Sequence, residues 1–138
     1  MPLDLSQSCR GARRYAVAMA NILVLDDDPD MRALMQRHLA GAGYGVELAD
    51  SAAAAKKAIS SQRPDLIIAD INLPEVSGIE FVAGMRGDSR VAGIPVIYLT
   101  ALEENTELAV KTVGYPLLSK PVVQRDLLSL VQRQLRRS

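Results

Sequence analysis

Ile22-Leu23-Val24-Leu25-Asp26-Asp27-Asp28-Pro29 is the stretch on which the reading of this chain turns. Four consecutive apolar side chains suit a strand covered on both faces, because a half-exposed strand would alternate with a period of two. The run stops at three acids. Asp28-Pro29 then places an N-cap residue before a proline at the first helical position. Met31, Leu34, Met35 and Leu39 carry a helical stripe behind it, and Gly41 and Gly43 end it.

The same alternation continues outward. Val46–Ala49 predicts a second short strand, and Asp50 or Ser51 can cap an alanine-rich helix over Ala52–Gln62. Leu66–Ala69 is a third buried strand, preceded by Pro64 and closed by Asp70. Ile79, Val82, Ala83 and Met85-Arg86 fit a helix stopped by Gly87. Ile94–Leu99 predicts the fourth strand, with Pro95 near its start, and Glu103–Thr112 a weaker helix. Leu117-Leu118 marks a short fifth strand, and Leu127, Leu128, Val131 and Leu135 give the last helix its apolar face. Five strand–helix pairs over residues 21–137 predict an α/β domain: a five-stranded parallel sheet with helices on both faces. Right-handed crossovers favour the order 2-1-3-4-5.

Composition bounds the function. The chain has 138 residues, one domain's worth, with 49% apolar and 23% charged side chains. Sixteen basic residues balance sixteen acidic ones, so no global field favours nucleic acid or an anionic membrane. Cys9 and His38 are each the only residue of their type, which excludes a disulfide framework, a Cys-rich zinc site and most triad chemistry. His38 sits mid-helix and reads as a surface or groove residue. Met1–Arg14 has no period, so residues 1–20 are expected to be a loose extension preceding a domain at 21–138. Met19-Ala20-Asn21 leads straight into the first strand, so residues 1–18 read either as an extension or as a start placed upstream of the true one. Only Tyr15, Ala16 and Val17 separate Arg13-Arg14 from Ala18-Met19-Ala20, too few for a signal peptide. With no apolar run of the roughly 18–20 residues of a membrane span, a cytoplasmic location is expected.

In an open parallel sheet, chemistry sits outside the carboxyl ends of the strands. Those positions hold Asp26, Asp27 and Asp28, then Asp70 and Asn72, then Thr100, then Lys120. Strands one and three are neighbours in the expected order, so Asp26, Asp27 and Asp70 would crowd. Carboxylates that close raise one another's pKa unless a cation compensates. Mg²⁺ takes one or two carboxylates with other oxygens and waters, and Lys120 adds a second compensating charge. Taken singly, Asp28 is a helix cap, Thr100 a strand-end hydroxyl and Lys120 a solvated charge. Their joint placement at separate strand ends suits phosphate with Mg²⁺ or Mn²⁺.

Four motifs carry a resemblance to the response-regulator receiver domains of two-component signalling. They are Ile22 to Pro29; Asp70-Ile71-Asn72-Leu73-Pro74-Glu75-Val76-Ser77-Gly78; Ile94-Pro95-Val96-Ile97-Tyr98-Leu99-Thr100-Ala101; and Ser119-Lys120-Pro121. The resemblance implies the flavodoxin-like receiver fold, with Asp70 as phosphoacceptor and Asp26, Asp27 and Asp70 around the metal. It further implies that Asn72 gives its backbone carbonyl to the metal, that Thr100 and Lys120 meet the phosphoryl oxygens, and that Lys120-Pro121 is a cis peptide. The expected donor is a histidine kinase or a histidine phosphotransfer protein. Such a domain acts as a phosphoacceptor and promotes only its own phosphorylation and dephosphorylation. The chemistry agrees: an ionised aspartate is already a nucleophile, so the protein need only position and neutralise charge.

The last third departs from the family. Leu117 stands where an aromatic residue is usual, and Tyr115 lies two residues earlier on the same strand face. Val113-Gly114 replaces a Gly-Ala step, and the span from Thr100 to Lys120 is about two residues short of the usual length. Thr100, Leu117 and Tyr115 are therefore the expected switch residues. The last helix runs to Arg136-Arg137-Ser138, so output is expected through an unidentified protein target or a phosphorelay, from a monomer or a phosphorylation-dependent dimer. Two rival readings are a degenerate receiver used only for binding and a phosphatase of the haloacid-dehalogenase type, which Asp26-Asp27-Asp28 resembles in its Asp-x-Asp spacing.

Overall fold

A computed structural model describes residues 20–101 and 115–137. The expected arm over residues 1–20, apart from Ala20, and the expected helix over 103–112 with the Val113-Gly114 step lie outside the described residues. Five strands and four helices are described: β1 (Asn21–Leu25), α1 (Pro29–Gly41), β2 (Gly45–Ala49), α2 (Ala52–Ser61), β3 (Leu66–Asp70), α3 (Gly78–Arg86), β4 (Val96–Ala101), β5 (Leu117–Lys120) and α4 (Gln124–Arg137). All strand pairs are parallel, in the order β2-β1-β3-β4-β5.

Both faces of the central strands are covered, which accounts for their unbroken apolar runs. Leu23, Leu25, Ile67, Ala69, Val96 and Tyr98 meet Ala55 of α2 and Phe81, Val82 and Met85 of α3. On the other face Ile22, Val24, Leu66, Ile68, Ile97 and Leu99 meet Met35 and Leu39 of α1 and Leu127 and Val131 of α4. Edge strands β2 and β5 are only half-buried.

Helix starts follow local chemistry. The Asp28 carboxylate accepts from Asp30 N at 3.0 Å, with Pro29 opening α1. Ser51, not Asp50, caps α2, its hydroxyl accepting from Ala54 N at 3.1 Å. Helix α3 starts in a reciprocal box: Ser77 Oγ accepts from Glu80 N at 3.1 Å and Glu80 Oε1 accepts from Ser77 N at 3.2 Å. The Ser-x-x-Glu spacing of that box is visible in the sequence. At the far end of α1 the chain turns through Gly43, whose φ of 99° lies in the left-handed region.

Several strand boundaries differ from the sequence reading. Strand β4 starts at Val96 rather than Ile94, because the Arg86 guanidinium takes the carbonyls of Ala92 and Ile94. Pro95 has no N–H to give, and its carbonyl accepts from Ile67 N at 3.0 Å. β4 also runs on through Thr100 and Ala101, and β5 through Ser119 and Lys120, because Thr100 pairs with Ser119 and Ala101 with Lys120. Asp70 likewise is the last residue of β3, opposite Leu99.

Tyr98 is buried on β4, and burial pushes its phenol up to about 12. The folded-state value lies above the unfolded one, so its contribution to stability is intact below about pH 10 and is lost as pH rises towards 12. In a 295 nm titration one phenol should ionise late, and Tyr98→Phe should remove that component. An unchanged titration in the variant would refute the assignment.

Candidate functional site

Register delivers the site. Leu25 pairs with both Ala49 and Ala69, so β1 and β3 end level and their following carboxylates emerge side by side. One oxygen from each of Asp26, Asp27 and Asp70 lies within 4.8 Å of the others. Asp26 and Asp70 are buried and Asp27 is exposed. Lys120 reaches in from the end of β5, its Nζ donating to Asp70 Oδ2 at 2.8 Å and standing 3.2 Å from Asp26 Oδ2. The peptide bond between Lys120 and Pro121 is cis.

Hydrogen bonds hold the two buried carboxylates. Asp26 Oδ1 accepts from Asp28 N at 2.9 Å, and Asp70 Oδ1 accepts from Asn72 N at 2.9 Å. The Asp26 carbonyl accepts from Arg32 Nη1 at 2.9 Å, an anchor from α1 that the sequence did not reveal. Asp26 Oδ2 is different: it is fully buried and faces the Lys120 ammonium at 3.2 Å as an ion pair, without an aligned hydrogen bond. Burial raises the Asp26 pKa, as does the charge of Asp70, against the lowering pull of Asp28 N and Lys120. Burial by itself would lower the Lys120 pKa, but the hydrogen bond and charge of Asp70, with the charge of Asp26, outweigh it and hold the ammonium above its ordinary value.

Three carboxylates against one ammonium leave two negative charges uncompensated, and one Lys120 ammonium is shared between two buried carboxylate oxygens. A hard divalent cation fits that donor set, since it bonds oxygen and supplies two positive charges.

The cluster does not gather every residue singled out in the sequence. Thr100 is buried, but its hydroxyl donates to the Ala101 carbonyl at 3.2 Å rather than to an acid. Asp28 is occupied as the cap of α1, which removes the second aspartate of the Asp-x-Asp reading. His38 is half-buried on α1. Leu117 packs into the core beside Tyr98, its partner across the β4–β5 ladder. Tyr115 stands edge-on to Tyr98, with centroids 5.8 Å apart, and its hydroxyl accepts from Arg86 Nε at 3.0 Å. The Arg86 guanidinium also lies 5.1 Å from the centre of the Tyr115 ring. Arg86 thus joins the end of α3, the approach to β4 and the approach to β5, a role without any local sequence signal.

The comparisons agree with this geometry. Residues 22–132 match the model of the response regulator receiver domain family, and the chain belongs to that family of regulatory phosphoacceptor domains. It is 34% identical to an uncharacterized 14.6 kDa protein of Leptolyngbya boryana, over 85% of this chain and 91% of that one. It is 35% identical to the DNA-binding dual master transcriptional regulator RpaA of Synechocystis, over 87% of this chain and 51% of that one. The chain thus spans about half the length of that regulator. Among solved structures, Vibrio cholerae chemotaxis protein CheY4 superposes with a TM-score of 0.77 at 35% identity, over 84% of this chain and 98% of that one. Among the described residues, no helix is long and apolar enough to cross a membrane.

Gly78 lets α3 begin directly under the acidic cluster. Its N–H donates to the Ile71 carbonyl at 2.9 Å, and a Cβ there would collide with the Asp70 carbonyl oxygen. Gly78→Ala should therefore cost about 1–3 kcal/mol. Gly84→Ala, in the same helix with open space at its Cβ, should be neutral or stabilise by up to about 1 kcal/mol. Urea denaturation of both variants checks this, and equal effects would refute the close approach.

Proposed function

We propose that this receiver domain, the unit spanning residues 21–138, takes a phosphoryl group on Asp70 from a histidine kinase or histidine phosphotransfer protein in the cytoplasm. The observation that carries the reading is the convergence of Asp70, Asp26, Asp27 and Lys120 at the carboxyl edge of the sheet. Asp70 carries the roles of nucleophile and acceptor. The donor's phosphorus–nitrogen bond breaks, a phosphorus–oxygen bond forms to the Asp70 carboxylate, and the leaving imidazole recovers a proton. No general base is needed, because the nucleophile is already ionised.

Asp26, Asp27 and Asp70, with the Asn72 carbonyl, are the residues proposed to hold Mg²⁺ or Mn²⁺. Bound there, the cation would neutralise charge on the transferring group. Lys120 supplies the protein's own positive charge, and its hydrogen bond fixes one Asp70 oxygen. Asn72 N fixes the other. Thr100 is the hydroxyl at the end of β4 assigned to a phosphoryl oxygen. The binding-only alternative lacks support of this kind, because each assigned acid, the hydroxyl and the amine are all present.

Output is assigned to protein contacts or onward phosphotransfer, a reading favoured by near-complete overlap with single-domain-sized relatives such as CheY4. A phosphoryl group brings charge beside Thr100, two residues along β4 from Tyr98. The switch is assigned to Thr100, Leu117 and Tyr115, with the Arg86–Tyr115 hydrogen bond passing the change to α3.

Incubation with acetyl phosphate and Mg²⁺ should add one phosphoryl mass. Asp70→Asn should abolish it, and Asp27→Ala should weaken it while raising the melting temperature of metal-free protein by relieving repulsion. Full labelling of Asp70→Asn would overturn the acceptor assignment. Beryllofluoride with Mg²⁺ should change tyrosine fluorescence in the wild type and much less in Tyr115→Phe. An equal response in the variant would remove Tyr115 from the switch.

A further inference from the structure

A groove of about 560 Å³ lies between α2 and α3, away from the acidic cluster. Its floor is apolar: Ile59 from α2, Phe81 and Met85 from α3, and Val91 beyond α3. The volume falls within the range of about 300–1,000 Å³ typical of binding clefts. Gly84 lies on its wall. A Cβ at that position would meet nothing within 4 Å, so no packing constraint demands glycine. Glycine inside a helix costs about 1 kcal/mol relative to alanine, and here its effect is to leave the groove wider.

The rim is electrostatically lopsided. On the α3 side Asp88 is bridged by Arg90 at 2.9 Å, and Glu80 accepts from Ser77 N while keeping its charge. On the α2 side Lys56 and Arg63 are exposed, and among the described residues neither has a carboxylate partner. Arg63 donates its Nε to the Arg90 carbonyl, which orients the guanidinium along the rim. An apolar floor with two cations on its α2 rim, opposite Glu80 on the α3 rim, calls for an occupant that is apolar where it meets the floor and acidic where it faces α2.

We propose that the α2–α3 groove docks a helical segment of a partner protein, with large apolar side chains on one face flanked by carboxylates that meet Lys56 and Arg63. Helix-in-groove docking needs apolar anchors at helical spacing, and opposite rim charges set its orientation. This surface is separate from the phosphoacceptor cluster and does not depend on the phosphorylation reading.

The test uses the full chain, isotope-labelled, titrated in NMR with two synthetic helical peptides. Both carry phenylalanine and leucine along one face; one has glutamate flanks and the other lysine flanks. The acidic peptide should shift Ile59, Gly84 and Met85 signals and bind at least about tenfold more tightly than the basic one. The double variant Lys56→Glu/Arg63→Glu should remove or invert that preference. Gly84→Leu should abolish binding by filling the groove, with signals elsewhere unchanged. Equal affinity for both peptides, shifts confined to other surfaces, or undiminished binding by the charge-reversed variant would overturn the proposal. Displacement of the acidic peptide from the groove by decanoate at micromolar concentration would assign it to a small amphiphilic anion and likewise overturn it.

Discussion

The contact between Lys120 and the two buried carboxylates of Asp26 and Asp70 sets the terms for the structure around it. Removing one partner of a buried ion pair typically costs about 3–5 kcal/mol, because the other charge is stranded. The strands must therefore keep their register at this edge, and β5 must carry its lysine as far as the second residue beyond Leu118. The parallel register achieves this by pairing Leu25 with Ala69, Asp70 with Leu99 and Ala101 with Lys120. The site is a consequence of strand alignment more than of any loop.

The same arrangement leaves a deliberate deficit. Lys120 neutralises part of the acidic charge, while Asp26 Oδ2 is buried with its ion pair to Lys120 at 3.2 Å and no aligned hydrogen bond. The charge deficit of this oxygen-rich cluster suits a hard divalent cation. Gly78 belongs to the same economy of space: α3 begins against the Asp70 backbone, where no side chain fits.

The two faces of the sheet are treated differently at their helices. The face bearing α1 and α4 closes over Met35, Leu39, Leu127 and Val131, all fully buried. The α2–α3 face instead retains a groove above Phe81 and Met85, with its charged rim unevenly neutralised. Arg86 at the end of α3 reaches Tyr115 and the carbonyls before β4. The acidic cluster, the Arg86–Tyr115 contact and the groove occupy separate parts of the described structure.

The alternation of strands and helices was legible from residues alone, because Ile22–Leu25 and Leu66–Ala69 are uninterrupted apolar runs and caps such as Asp28 act locally. The acidic cluster was legible too, since strand ends in a parallel sheet face one common edge. What local sequence could not convey was whatever depends on groups distant along the chain. The start of β4 depends on Arg86 capturing two carbonyls, and the extension of β4 and β5 depends on their mutual pairing. The ion pair of buried Asp26 with Lys120, the place of Tyr115 against Tyr98 and Arg86, and the groove beside Gly84 likewise exist only once the elements pack. Periodicity and capping act over a few residues and can be read in order along the chain. Register, burial and charge compensation join residues up to 94 positions apart, as Lys120 and Asp26 are, and only the tertiary structure decides them.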